Sequence, residues 1–150
     1  MTKRLSLLAL PIVIAVLLGC GALMGEEVAR LSINQVSTDE NQPIVKEVSL
    51  DLKKDDEIMI WSDMDIEYEG NVEFRFIITI LKDGEHFGEF EIDPTDKNIT
   101  VGEMKTCIME KTEWRFSGKN TELLIEENAH YTFKGMLVAS ENPTLKVTKA

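Results

Sequence analysis

The sequence predicts an all-β protein: a single antiparallel β-sandwich, of the immunoglobulin-like or jelly-roll type, that follows an N-terminal signal segment. After residue 30, short runs of alternating apolar and polar residues recur every ~8–12 residues, which is the spacing of strands in sandwiches. No long window keeps the i, i+3, i+4, i+7 spacing of an amphipathic helix, apart from a weak stretch at 120–129. Two Cys in 150 residues also exclude a disulfide-stapled miniprotein.

Turn signals separate the predicted strands. Residues 72–81 alternate so that the apolar side chains from Phe74 to Ile80 share one face. Asp83-Gly84 follows and predicts a two-residue hairpin turn, because both positions need positive φ. Gly88 predicts a bulge in the returning strand. The predicted strands are 30–36, 44–52, 57–69 with a break near Asp63, 72–82, 85–92, 99–109, 112–117, 121–127, 130–139 and 144–149.

The aromatic residues of this body are expected to form the large pieces of one hydrophobic core. A chain of ~130 residues is long enough to bury roughly two-thirds of its unfolded surface. The aromatic side chains expected in the core are Trp61, Phe74, Phe76, Phe90, Trp114, Phe116, Tyr131 and Phe133.

The N-terminus has the pattern of a secretory signal, with Lys3 and Arg4 preceding 21 uncharged residues at 5–25. Within this stretch lies Leu17-Leu18-Gly19-Cys20. This segment resembles the bacterial lipoprotein signal, in which a Leu, a small or aliphatic residue and a Gly or Ala precede the modified Cys. The resemblance covers residues 1–20 and implies cleavage before Cys20, with lipid on its sulfur and amine. It divides the chain into a signal peptide (1–19), a lipidated Cys with its tether (20–29) and the sandwich (30–150).

Two other interpretations of the leader stay open. At ~1.5 Å per residue the uncharged stretch is long enough to cross a ~30 Å hydrocarbon core as an uncleaved anchor. An ordinary signal peptidase is the other alternative, although no clean A-x-A-like site is present. All three place the body on the far side of a membrane. The lipoprotein resemblance implies that it stays anchored in the bacterial cell envelope, facing the periplasm or the cell surface. If Cys20 is acylated, Cys107 has no disulfide partner, and its apolar surroundings predict a small buried residue.

The body is strongly acidic. Without residues 1–19, 14 of the 16 basic groups and all 27 acidic groups remain, a formal net charge of −13. Nucleic-acid binding requires the opposite sign, so it is excluded as a function. An electrostatic partner would be cationic: a metal ion, a basic protein or a basic polymer. The alternative is that the charge only keeps an exported domain soluble.

The run from Trp61 to Gly70 carries four acids at alternate positions. In an extended strand Asp63, Asp65, Glu67 and Glu69 project to one face. Calcium takes six to eight oxygen ligands, so these carboxylates, with acids in nearby loops, are candidate Ca²⁺ ligands. No calcium-loop motif of the D-x-[DN]-x-[DN]-G type is present. A solvated polar face paired with lysines is the competing interpretation.

Other candidate sites are weaker. Trp61 and Tyr68 are candidate binding residues for sugar rings, if they are exposed. His86 and His130 are the only two histidines, and neither is in a zinc-binding spacing. The chain has no G-x-S-x-G elbow. These features give no catalytic constellation, and a cleft that joins both histidines with two carboxylates would be needed to indicate an enzyme.

The sequence therefore favours a lipid-anchored, extracytoplasmic, non-enzymatic binding or accessory module of the cell envelope. Its partners would be the membrane, through the lipid, and an unknown protein or envelope polymer. One alternative is an acidic inhibitor or sequestering protein for a cationic protein target. A second is a calcium-dependent adhesion or carbohydrate-binding module.

Overall fold

The chain forms an antiparallel β-sandwich of two four-stranded sheets, as the sequence predicts. The computed structural model describes residues 25–37 and 43–150. Sheet A has the strand order β1-β7-β3-β4 and sheet B the order β5-β6-β2-β8. The strands are β1 (Lys46–Leu52), β2 (Glu57–Glu69), β3 (Phe74–Lys82), β4 (Glu85–Ile92), β5 (Ile99–Ile108), β6 (Lys111–Leu124), β7 (Ala129–Ala139) and β8 (Lys146–Lys149).

The leader and its lipidation site, Cys20, lie outside the described residues. The described segments contain no helix of the length and apolarity that a membrane crossing requires.

The long strands β2 and β6 form the centre of sheet B and correct two predicted boundaries. β2 runs unbroken through Asp63, and the irregularity in its pairing with β6 falls between Ile60 and Trp61. The separate strands predicted at 112–117 and 121–127 are one 14-residue strand. Residues 118–120 have the composition of a turn, but Gly118 is buried because residue 99 of β5 approaches it closely. A Cβ at Gly118 would overlap the carbonyl oxygen of Ile99. The glycine therefore permits a close approach within the sheet instead of a turn.

The strand predicted at 30–36 is wrong. Its only ladder contact among the described residues is an isolated parallel bridge between Val36 and Leu137. The segment packs against the sandwich instead, and its Ile33 is 3% exposed in the core, with its N–H donating to the Ala150 carbonyl at 2.8 Å. The Ile33 side chain fits there because Gly135 on β7 has no side chain to displace it.

The core lies between the two sheets and is built from alternate residues of each strand. Met64, Ile66 and Leu137 are almost completely buried at its centre. Five of the predicted aromatic residues are buried here, while Phe90 and Trp114 pack against the core from partly exposed positions. Trp61 is half-buried on the outer face of sheet B and does not belong to the core cluster. The five buried aromatic residues are Phe74, Phe76, Phe116, Tyr131 and Phe133.

The predicted hairpin between β3 and β4 is confirmed, with positive φ angles of 51° at Asp83 and 86° at Gly84. The pairing register shifts where Ile80 faces Gly88 and Leu81 faces His86, so the bulge predicted at Gly88 lies directly beside it.

The chain crosses from sheet A to sheet B between β4 and β5, and the buried side chain of Asn120 holds this crossing in place. Its Nδ2 donates to the carbonyl of Asp96 at 2.8 Å and lies 3.3 Å from the carbonyl of Asp93. Its Oδ1 accepts from the hydroxyl of Ser62. One side chain on β6 therefore fixes the loop that determines where β5 begins.

Candidate functional site

The acidic residues of β2 lie on the outer face of sheet B, as the sequence predicts, and β6 and β8 place cations beside them. Asp65 pairs with Arg115 at 2.9 Å. Glu67 lies between Lys111 at 3.2 Å and Lys146 at 3.1 Å. The register explains these contacts, because Arg115 is directly opposite Asp65 and Lys146 is directly opposite Glu67.

The same arrangement surrounds Asp63, which contacts Lys149 of β8 and, at 3.3 Å, Arg30 of the N-terminal segment. Partial burial raises the pKa of Asp63, but hydrogen bonds from Lys149 and Arg30 outweigh this effect and hold the pKa below its ordinary value. Hydrogen bonds from Lys146 and Lys111 likewise lower the pKa of Glu67. These carboxylates are therefore stabilised in their charged forms by neighbouring side chains.

The candidate calcium ligands Asp63, Asp65, Glu67 and Glu69 do not converge on one point. Alternate residues of a strand are ~6.5–7 Å apart, which is too far for one ion to bind the whole set. Within 25–37 and 43–150, no group of three or more His, Cys, Asp or Glu side chains is arranged to hold a metal ion. The outer face of sheet B is a network of ion pairs, the competing interpretation of the acidic run.

The two candidate binding aromatics lie on opposite faces of β2. Trp61 is half-buried on the outer face, opposite Lys119. Tyr68 is 6% exposed in the core, and its ring meets that of Phe74 edge-on at 6.3 Å. The alternation of the strand separates residues 61 and 68, an odd and an even position, so the two rings cannot share one platform.

The histidines are not brought together in a cleft. His130 Nδ1 lies 2.7 Å from Asp51 Oδ1 across the β1–β7 pair, whereas His86 is exposed on β4, next to the bulge. Neither the surface depression beside Phe74 and Glu91 nor the one beside Glu67 and Tyr68 is lined by a histidine. One of them is lined by Glu67, Lys111 and Lys146 of the ion-pair network.

The prediction that Cys107 is a small buried residue is wrong. Cys107 is exposed on β5, with its sulfur 3.6 Å from the hydroxyl oxygen of Thr112. The strand pattern around it was assigned correctly, but a pattern of alternation does not show whether a strand is covered by the opposite sheet. No part of the chain that the structure describes covers β5, and all ten of its residues are exposed there.

We call residues 99–109, strand β5 with the first residue of its turn to β6, the β5 flange. β5 is the edge strand of sheet B and pairs with β6 alone, so its other edge is free in the described structure. Sequence reasoning missed this surface. The apolar side chains of the flange are between 45% and 100% exposed: Ile99, Val101, Met104, Ile108 and Met109.

A charged and aromatic cluster fixes the flange to β6. The Nε1–H group of Trp114 donates to Oε1 of Glu103 at 2.8 Å. The Nζ atom of Lys97 lies 4.2 Å from the centre of the Phe116 ring and 3.5 Å from Oε1 of Glu103. The Lys97 side chain is only 5% exposed. Lys105 lies 4.0 Å above the Trp114 ring. Cation–π contacts and a hydrogen bond therefore hold the inner face of the flange, where the other strands use apolar packing.

The fold and this surface define a class of protein: an antiparallel β-sandwich in which residues 25–37 and 43–150 leave one edge strand uncovered on both faces. Comparison with protein-family models, with curated proteins and with solved structures gave no match.

Proposed function

We propose that the protein is a non-enzymatic binding or accessory module of the bacterial cell envelope, anchored through lipid on Cys20 outside the cytoplasm, which binds its partner along the β5 flange. The observation that carries the proposal is that every residue of β5 is exposed although several are large and apolar. These side chains contribute little to the core, and exposed apolar surface of this kind is typical of an interaction site.

The free edge of β5 supports a specific mode of binding. An edge strand presents unpaired N–H and C=O groups, and a partner in extended conformation can add to it as a further strand. Main-chain hydrogen bonds would supply affinity, and the exposed side chains of Met104 and Ile108 would supply apolar contacts on one face. A module of this type needs no catalytic residues.

The start of the described chain supports anchoring close to the membrane. Gly25 lies against Met59 and Arg30 pairs with Asp63, both on the outer face of sheet B. Cys20 and Gly25 are five residue steps apart in the sequence. Even fully extended at ~3.3–3.6 Å each, these steps span at most about 18 Å. Lipid on Cys20 would therefore keep the outer face of sheet B close to the membrane surface.

Metabolic labelling with a fatty acid tests the anchor. The full chain expressed in a bacterial host should incorporate the label, and Cys20→Ala should lose it and keep the uncleaved leader. Cys107→Ala, the matched control, should be labelled like the unchanged chain. A Cys20→Ala variant that keeps the label would contradict the proposal, and an unlabelled, uncleaved wild type in the membrane fraction would favour the membrane-spanning alternative.

Position-specific photo-cross-linking tests the binding surface. A photoreactive amino acid at Met104 in living cells should give an adduct with an envelope component. The same amino acid at Glu47, exposed on β1 at an edge of sheet A, is the control and should give none. Equal adducts at both positions, or no adduct at position 104, would show that the flange is not the binding surface.

A further inference from the structure

The inner face of β5 carries two opposite charges, Glu103 and Lys105, on either side of Met104. Glu103 faces Phe116 and Lys105 faces Trp114 in the β5–β6 register, so both side chains lie on the inner face of sheet B. Met104 faces Arg115 and lies on the outer face. A strand with this pattern is complementary in charge to an antiparallel copy of itself.

Symmetry leaves few ways for β5 to pair with its own copy. An antiparallel pair related by a two-fold axis keeps each side chain on its own face of the sheet, so one residue must lie opposite its own copy. With Glu103 or Lys105 at the axis, like charges face each other. With Met104 at the axis, Glu103 of each copy faces Lys105 of the other, and two opposite-charge pairs form.

We propose that a second copy of this chain occupies the free edge of β5, in the antiparallel register that places Met104 opposite itself. This inference rests on the proposed function, because it names the partner for the same surface. The two copies of sheet B join into one continuous eight-stranded sheet. Gly102 of each copy faces Thr106 of the other, and the two Met104 side chains meet on the outer face.

The contacts of Glu103 within the chain leave it able to make this pair. Both Trp114 and Lys97 contact its Oε1 atom. Its Oε2 atom is left to accept from Lys105 of the second copy. Lys105 is held over the Trp114 ring by its ammonium group, which keeps hydrogen-bond donors for the opposite carboxylate.

The position of the tether agrees with this symmetry. A two-fold axis perpendicular to the sheet turns the outer faces of both copies to the same side. Gly25 and Arg30 lie against that outer face through Met59 and Asp63. Both tethers therefore leave on the same side, and one membrane can hold both anchors of the dimer.

Cysteine cross-linking of the full chain in membranes of expressing cells tests the register. Cys107→Ala is the background and also reports any cross-link through Cys20. Met104→Cys in this background should give a covalent dimer with a mild oxidant or with a short bismaleimide, which tolerates imperfect disulfide geometry. Thr106→Cys is the matched control on the same strand and face, and its copy would lie about 13 Å away along the strands. It should cross-link weakly.

Charge reversal provides the second arm. Lys105→Glu should reduce cross-linking through Met104→Cys about tenfold, because two attractive pairs become repulsive. Adding Glu103→Lys should restore it. Glu89→Lys on β4 makes the same charge change as Glu103→Lys but lies away from β5. Added to Lys105→Glu, it is the control and should not restore cross-linking.

Absence of a dimer from Met104→Cys with both reagents would overturn the inference, as would equal dimer from Thr106→Cys. An unchanged yield of the Met104→Cys dimer in the Lys105→Glu variant would also overturn it. Circular dichroism of each purified full-length variant confirms that it is folded. Failure here, with a photo-adduct from position 104 to another molecule, would leave the proposed function standing with a different partner.

Discussion

Strands β4 and β5 are both edge strands, and they follow each other in the chain, but among the described residues only β4 has a side chain buried in the core. β4 turns Ile92 into the core, carries Glu89 and Glu91 on its outer face, and has a bulge beside Gly88. Charges and bulges help to keep an edge strand from pairing with other chains. β5 has them too, with Glu103, Lys105 and a register shift between Thr100 and Gly102, so the two strands differ in the covered inner face. β5 has no covered face, and apolar side chains are exposed along it. β4 therefore helps to close the core, whereas β5 is accessible to a partner.

The crossing between the two strands produces this difference. Asn120 and Gly118 fix the chain against β6 just before β5 begins. β5 then continues along β6 with Glu103 and Lys105 on its inner face, where β4 has Phe90 and Ile92. Charged side chains on that face have no reason to be buried, so the sandwich closes its core without β5.

The largest expected effect is a direct test of that division. Ile92→Ala on β4 should lower the free energy of unfolding by about 3 kcal/mol, because it leaves a cavity in the core. Met104→Ala on β5 should change it by less than about 0.5 kcal/mol. Denaturant titration of both variants measures the contrast. A comparable loss at both positions would mean that β5 belongs to the core after all.

Gly118→Ala should have the next largest effect on the free energy of unfolding, because it disturbs the attachment of β5 to β6. It should leave β4 unchanged. The new Cβ would overlap the main-chain carbonyl of Ile99, which cannot move without displacing the start of β5. We expect a loss of about 2 kcal/mol, within the range for overpacking, and faster amide exchange in β5 than in β4. Gly135→Ala is the matched control.

The control differs from Gly118→Ala in what the new Cβ meets. At Gly135 the nearest atoms are ends of side chains, with Ile33 Cδ1 at 2.8 Å, so the neighbours can adjust. Its cost should be smaller, and exchange in β5 should not change. An equal cost at both sites would show that the approach of residue 99 has no special importance.

Trp114→Phe should have a smaller effect on the free energy of unfolding. It tests the hydrogen bond from Trp114 to Glu103 on the inner face of β5. The variant keeps an aromatic ring but loses the hydrogen bond to Glu103, which should lower the free energy of unfolding by about 1 kcal/mol. Glu103→Gln keeps an acceptor at the same position and should cost less. If Glu103→Gln is the more damaging change, the charge of Glu103, and its pairing with Lys97, matters more than the hydrogen bond.

The sequence predicted the strands better than their surroundings. Period-two alternation identified β2, β3 and β4, because these strands have one covered face, and Asp83-Gly84 identified the hairpin between β3 and β4 by its positive φ angles. The exposure of β5 could not be predicted, since it depends on where the crossing held by Asn120 places the strand. For the same reason, the sequence could not show that Glu103 and Lys105 face no opposite sheet.

The acidic run was predicted correctly as one face of a strand, but its neighbours were not. The cations beside it come from β6, β8 and the N-terminal segment, at sequence separations that no local pattern reveals: Arg115, Lys146, Lys149 and Arg30. A cluster of like charges in the sequence favours a solvated face paired with lysines over a metal site, but it does not identify the paired cations. The strand register shows which cations lie opposite these carboxylates.

The smallest expected effect is on the pH dependence of stability, and it concerns Glu67 on the outer face of β2. The charges there are paired with neighbouring cations, so they provide a comparison for the charges on β5. The pKa of Glu67 is lowered in the folded protein by Lys146 and Lys111. A carboxylate with a lowered pKa stabilises the fold above its ordinary pKa of ~4.3, and this stabilisation is lost as the pH falls through the folded value. Glu67→Gln should therefore flatten the decline of the unfolding temperature below about pH 4.

The effect should be small and should diminish in salt, because the side chain is solvent-accessible and exposed ion pairs are screened. Glu69→Gln is the control, since Glu69 is on the same face at the exposed end of β2. Thermal unfolding from pH 3 to pH 7 at low and high salt measures both variants. An identical pH profile for the two variants would mean that the cations beside Glu67 do not contribute to the free energy of unfolding. The paired charges on β2 would then stabilise the fold no more than the exposed charges Glu103 and Lys105 on β5.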